Sequence, residues 1–156
     1  MNSFSLQVSY AQIAVFDSNL ASPFNDWTDA HVRQGFSWRP GSVSFATIEA
    51  EGPILVCVAR RSAVDESEST AERIIVVPFS VPAHRAVEVA SVGGSVHLQL
   101  YPGEYELTFE HGATADSGMW ATLYFRPVDG PVHARVLRAD SNLSPPDVLV
   151  MMAQPA

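Results

Sequence analysis

Five histidines, at positions 31, 84, 97, 111 and 133, have the widest chemical repertoire in this sequence, as general bases, metal ligands or partners of a nucleophile. Nucleophilic hydrolysis needs a serine or cysteine in hydrogen-bond reach of a histidine that a carboxylate orients, often on a G-x-S-x-G turn. No such turn occurs, and "PGSVS" and "GGSVH" read as turn glycines followed by strand residues. The histidines show neither H-x-x-x-H nor H-x-H spacing, and the acidic run "DESESTAE" has no calcium-loop spacing. His97 and His111 are the pair a hairpin would bring together, but two histidines without a third ligand more often mark an exposed strand surface. "VGGSVH" joins strand to strand and lacks the helix N-terminus that a phosphate cradle needs. The residues point to no catalytic group, no metal and no cofactor.

What remains is recognition chemistry. The stretch "NDWTDAHVRQGFSW" places Asp26, Trp27, Asp29, Arg33 and Trp38 together, and a second acidic run contributes Asp65, Glu66 and Glu68. Tryptophan and arginine are enriched in interface hot spots, and carboxylates around them steer a basic partner. Each tryptophan has an alternative reading, as a plug over an open end of the fold. A second functional class also fits the composition: a carbohydrate or small-ligand module that stacks its ligand on Trp27, Trp38 or Trp120.

The charge balance favours a protein partner. The sequence has 9 basic residues, all arginine, against 17 acidic ones, a net charge of −8. Nucleic-acid and anionic-membrane binding rely on clustered positive charge, and here the densest charge run is acidic. Solubility alone is the plainer reading of the same sign. Cys57 is the single cysteine, so neither an intrachain disulfide nor a thiolate zinc site can form, and its apolar setting predicts a small buried hydrophobe. The N-terminus lacks a basic leader pattern and no run approaches the roughly 20 apolar residues of a membrane span, so a cytoplasmic protein is expected.

These side chains need a scaffold, and the period of the sequence is that of strands. Ten runs alternate or are β-branched: Phe4 to Tyr10, Gln12 to Phe16, Ser42 to Glu49, Ile54 to Arg60, Arg73 to Phe79, Ala86 to Val92, Ser95 to Tyr101, Glu104 to His111, Met119 to Arg126 and Val132 to Arg138. Gly- and Pro-containing turns separate them. The expectation is one all-β domain over 1–156, an antiparallel two-sheet sandwich of about 8–10 strands. "GSVHLQLYPGEYELTFEH" is expected to be a hairpin, with His97, Gln99, Glu104, Glu106 and Glu110 turned away from its apolar face. One short helix is expected near 28–35, with Asp26 or Thr28 as N-cap and Gly35 as its stop. After Pro145 and Pro146, "DVLVMM" is expected to dock as an additional strand.

The order of these segments carries a resemblance. The "DWTD" core, the following "G" and "GSVSF", the "VPF" of "RIIVVPFSV" and the "L-x-L-x-x-G-x-Y-x-L-T" pattern resemble the competence protein J family over roughly Ser5 to Phe125. The resemblance implies a non-enzymatic protein that binds a bacterial DNA-entry nuclease and suppresses its activity, with no residue map of the inhibitory surface. An acidic protein suits that role, because a nuclease cleft that holds a polyanion is basic.

Overall fold

The computed structural model describes residues 2–60, 68–116 and 118–156. Among them are eleven strands and one helix: β1 (Asn2–Val8), β2 (Gln12–Asp17), α1 (Asp29–Gln34), β3 (Phe36–Arg39), β4 (Ser42–Ala46), β5 (Gly52–Arg60), β6 (Arg73–Val81), β7 (Ala86–Ser91), β8 (Gly94–Gln99), β9 (Gly103–Ala113), β10 (Met119–Pro127) and β11 (Arg135–Arg138). They form two sheets, one ordered β1-β5-β10-β9-β6-β11 and the other β3-β4-β2-β7-β8. Pairing is antiparallel throughout except between β5 and β10, which run parallel. The all-β sandwich expected from the two-residue period is the fold observed.

Alternation builds the core. Ile54, Val56 and Val58 of β5, Leu107 and Phe109 of β9, and Leu123 and Phe125 of β10 face Ile13 and Val15 of β2 and Phe45 of β4. Phe45 and Phe109 stack with ring centroids 4.4 Å apart, joining the two sheets. Burying each such side chain stabilises the fold by about 1.5–3 kcal/mol. On the outer face, the Trp120 indole of β10 lies on Gly112 of β9 so closely that a Cβ there would sit 2.7 Å from Nε1.

Several expectations are corrected. Phe36–Arg39 is a strand of its own, too short for its alternation to stand out between a helix and a turn. The "GSVHLQLYPGEYELTFEH" segment is not a hairpin: β8 pairs with β7, whereas β9 lies between β10 and β6 in the other sheet. β9 is a central strand whose two edges are hydrogen-bonded to β10 and β6, and its side chains are buried along most of its length. His97 and His111 therefore never meet. Glu106 and Glu110 point away from the core yet are covered, Glu106 by Arg126 at 3.1 Å and Arg135 at 3.2 Å, Glu110 by the Ser69 hydroxyl. Cys57 faces outward on β5 and is half-buried rather than in the core.

Residues 139–156 dock without forming a ladder strand. Pro145, Pro146 and Pro155 donate no backbone hydrogen bond, and Met152 has φ 63°, which breaks an extended run. The segment instead closes the gap between the β3 and β11 edges, with Leu149 and Met151 packed on the core. Its anchor is Asp140, which accepts from Arg73 Nε at 3.0 Å and Nη2 at 2.9 Å, while Arg73 Nη1 donates to the Ala46 carbonyl at 2.6 Å. Arg73 is only 2% exposed.

Candidate protein-docking face

Small residues on the outer face of the five-stranded sheet bring the Asn25 segment into place. Ala14, Ser37, Ser42 and Ser44 leave room for residues 22–28 to lie directly on the strands. The Asn25 amide donates to the carbonyls of Ser37 at 2.8 Å and Ser42 at 3.2 Å, and its Oδ1 accepts from Arg39 Nε at 2.7 Å. Arg39 also donates to the Ser22 carbonyl and Ser42 to that of Pro23. Phe24 meets Phe16 edge to face at 5.8 Å.

The helix then starts as the sequence pattern requires. Thr28 is the N-cap, with its hydroxyl accepting from the His31 N–H and the His31 ring accepting from the Thr28 N–H at 3.0 Å. Asp29 sits in the first turn, and Gly35 closes the helix at φ 87°, a left-handed conformation that glycine adopts without strain. A Cβ on Gly35 would meet Ile75 at 3.1 Å. The chain 116 residues further on reinforces the helix, because the Gln34 side chain both donates to the Val150 carbonyl and accepts from its N–H, each at 2.8 Å. Ser144 N–H donates to the Arg33 carbonyl, Ala153 N–H to that of Trp38, and Asp26 N–H to that of Gln154.

This framework presents Trp27 half-buried, with its indole N–H donating to Gln12 Oε1 at 3.2 Å and its ring edge-on to His31. Beside it the β1–β2 connection turns through Tyr10 and Ala11. Tyr10, Ala11, Gln12, Trp27, Val32 and Ala46 line an apolar groove of about 340 Å³. Tyr10 is 78% exposed and Val32 57%.

Strand directions decide what surrounds the groove. The starts of β2, β3, β5, β6, β8 and β10 and the ends of β1, β4, β7, β9 and β11 share one end of the sandwich. That end carries the exposed carboxylates Asp26, Asp29, Glu49, Glu51, Glu68, Glu72 and Asp116. Ala11 N–H donates to the Ala50 carbonyl and Thr47 N–H to that of Ala11, so Glu49 and Glu51 flank the Tyr10 turn. Of the described arginines there, Arg33 is exposed, Arg73 is buried on Asp140, and Arg138 donates to the carbonyls of Ser69 and Ala71. At the opposite end Arg39, Arg60, Arg85 and Arg126 are interspersed with Asp17, Glu104 and Asp129, so the charge is polarised along the molecule.

Two histidines lie beneath this face. Burial lowers the pKa of His31 against the raising effect of Asp26, and its Nε2 is buried without a hydrogen-bond partner. His111 sits between the sheets, where its Nε2 accepts from the Ile48 N–H at 2.9 Å and its Nδ1 donates to the Trp120 carbonyl at 2.8 Å. Burial pushes its pKa down to about 4; the Trp120 carbonyl raises it, Arg73 lowers it and Asp140 raises it. The neutral ring ties the loop that bears Glu49 to β9.

The structure brings Asp26, Trp27, Asp29, Arg33 and Glu68 to this end; Asp65 and Glu66 lie outside the described residues. Trp38 is elsewhere, packed against the core with its indole N–H donating to the Pro78 carbonyl at 2.8 Å. Trp27, Trp38 and Trp120 occupy three separate places. Tyr10, Val32, Glu49 and Glu51 were missed by the sequence reading. Only the one-residue gap at Ala11 between the first two strand runs hinted that Tyr10 stands next to a tip. No group of three or more His, Cys, Asp or Glu side chains among the described residues could hold a metal, and no described helix is long and apolar enough to cross a membrane.

These features define an acidic β-sandwich with an aromatic groove set among its carboxylates. Residues 5–125 match the family model described as Competence protein J (ComJ), and the chain belongs to that family. It is 29% identical over 104 residues to a Bacillus subtilis (strain 168) protein described as "DNA-entry nuclease inhibitor", covering 66% of this chain and 76% of that one. The fold is also that of a crystal structure of ComJ from Bacillus subtilis, described as an inhibitor of the DNA-degrading activity of NucA. That likeness has a TM-score of 0.67 at 22% identity over 82% of this chain and 96% of the other.

Proposed function

We propose that this protein is a non-enzymatic inhibitor of a bacterial DNA-degrading nuclease, and that it acts by laying its acidic end over the basic cleft that holds DNA. The description of the Bacillus subtilis relative supports the activity. The observation that carries the mechanism is the gathering of seven exposed carboxylates around an aromatic groove at one end of the sandwich. Carboxylates raise the encounter rate with a basic surface and reject nucleic acid, and the aromatic rings supply the area that water leaves on docking. Asp26, Asp29, Glu49, Glu51 and Glu68 do the steering, and Trp27 is an anchor; Asp65 and Glu66 share in the steering as members of the same acidic run in the sequence. The whole chain acts as one domain in the cytoplasm, without a cofactor.

The test is a pull-down with a DNA-degrading nuclease from the same organism, followed by a plasmid-degradation assay. Stoichiometric protein should protect the plasmid, and protection should weaken as salt rises. Full nuclease activity in a several-fold excess of protein would sink the reading.

A further inference from the structure

The Tyr10–Ala11 turn is built in a way that the fold alone does not require. The bridge between Ser9 and Gln12 leaves two residues at the tip, and they have φ 58° and 55°. Two left-handed residues in a row suit the type I′ hairpin turn, where asparagine and glycine are the preferred pair. Here the pair is tyrosine and alanine, both of which resist that conformation. The strained tip displays the most exposed aromatic ring on the described acidic end, at 78%. It stands at the edge of an apolar groove whose other walls are Trp27, Val32 and Ala46.

Building on the nuclease-inhibitor reading, we propose that this turn and groove form the anchor site for one long basic side chain of the nuclease, an arginine or lysine from the rim of its DNA cleft. The chemistry of the walls selects that occupant. Its aliphatic stem lies on Val32, Ala11 and Ala46, its charged head reaches the carboxylates, and the faces of Tyr10 and Trp27 hold the cation between them. Asp29 lies three residues before Val32 on the same helix face, and Glu49 and Glu51 flank the turn through the bonds between Ala11, Thr47 and Ala50. A purely apolar side chain would fill the groove and leave the carboxylates facing basic groups across a gap. A basic side chain meets both.

The experiment uses the full chain and the nuclease recovered in the pull-down, with rates measured by surface-immobilised binding and stability by thermal unfolding. Tyr10→Ser should weaken binding at least about 30-fold, almost all of it in faster dissociation, because every steering carboxylate remains. The double substitution Tyr10→Asn with Ala11→Gly should weaken binding similarly while raising the Tm by about 3 °C, since the turn gains its preferred residues. Tyr10→Phe should bind like the parent. If the parent inhibits the nuclease and both turn variants bind as tightly as it does, the anchor is refuted and the inhibitor reading stands. If the double variant loses binding and Tm together, the turn serves the fold and the anchor is again refuted. If the parent neither binds nor inhibits, the inhibitor reading fails and takes the anchor with it.

Discussion

Acidification should unlock the His111 tether by an amount that can be worked out in advance. In the native state His111 titrates at about 4, against about 6.5 for an unfolded histidine. The native ring must stay neutral because its Nε2 accepts from Ile48 and its surroundings exclude water. The unfolded state therefore takes up the proton first, and stability is lost as pH falls from about 6.5 towards 4. Above about pH 7 this contribution is fully present. The gap between the two values corresponds to about 3 kcal/mol in all, of which about 1.4 kcal/mol is gone by about pH 5.5. Working at about pH 5.5 and above keeps the protein away from its isoelectric point near 4.9.

The assay is urea unfolding at about pH 7.5 and about pH 5.5 for the parent and for His111→Gln. The glutamine amide keeps an acceptor and a donor but has no proton to gain, and the carboxylates common to both proteins cancel in the comparison. With an m value of about 2 kcal/mol/M, the parent should lose roughly 0.7 M in midpoint more than the variant does. His31 is lowered in the same direction and remains in both proteins. Equal midpoint losses in parent and variant would refute the reasoning, because the buried imidazole would then take no part in the pH response.

Charge reversal of Asp26 and Asp29 together should slow association with the nuclease about tenfold at low salt, with the difference shrinking at high salt; stopped-flow mixing at two ionic strengths checks this. Trp27→Ala should speed dissociation at least about tenfold and cost about 1–2 kcal/mol of stability, because the ring is half-buried; urea midpoints and dissociation rates separate the two. Arg73→Met should destabilise the fold by about 3–5 kcal/mol by leaving Asp140 charged and unpaired, measurable by calorimetry, and Asp140→Asn in the same chain should restore part of it.

Alternation carried most of the fold into view. Strands such as β5 and β10 bury every second residue, so their inward sets, Ile54-Val56-Val58 and Leu123-Phe125, could be named from order alone. The capped helix was equally legible, since Thr28 and Gly35 act within a few residues of themselves. Pairing was not, because partners are chosen across the whole chain. "YPGEY" has the local chemistry of a hairpin turn, and the same residues can carry a strand from one sheet into the other. Glu106 and Glu110 misled for a related reason: their alternation correctly placed them away from the core, but their cover comes from Arg126, Arg135 and Ser69, remote in sequence. The candidate docking face was legible in its charge and its Asn25 to Arg33 wall. Tyr10 escaped because a left-handed Tyr-Ala pair violates the local rule by which turns are recognised.

The contact between Gln34 and Val150 sets an order of events during synthesis. A ribosome adding about 5–20 residues per second delivers Val150 roughly 6–23 s after Gln34, the two being 116 residues apart. Until then the helix that carries Asp29 and Val32 lacks both of its Gln34 bonds, whereas Arg73 gains the carboxylate of Asp140 earlier in synthesis. A nascent chain thus holds an immature version of the candidate docking face until residues 139–156 are free to pack on the sandwich.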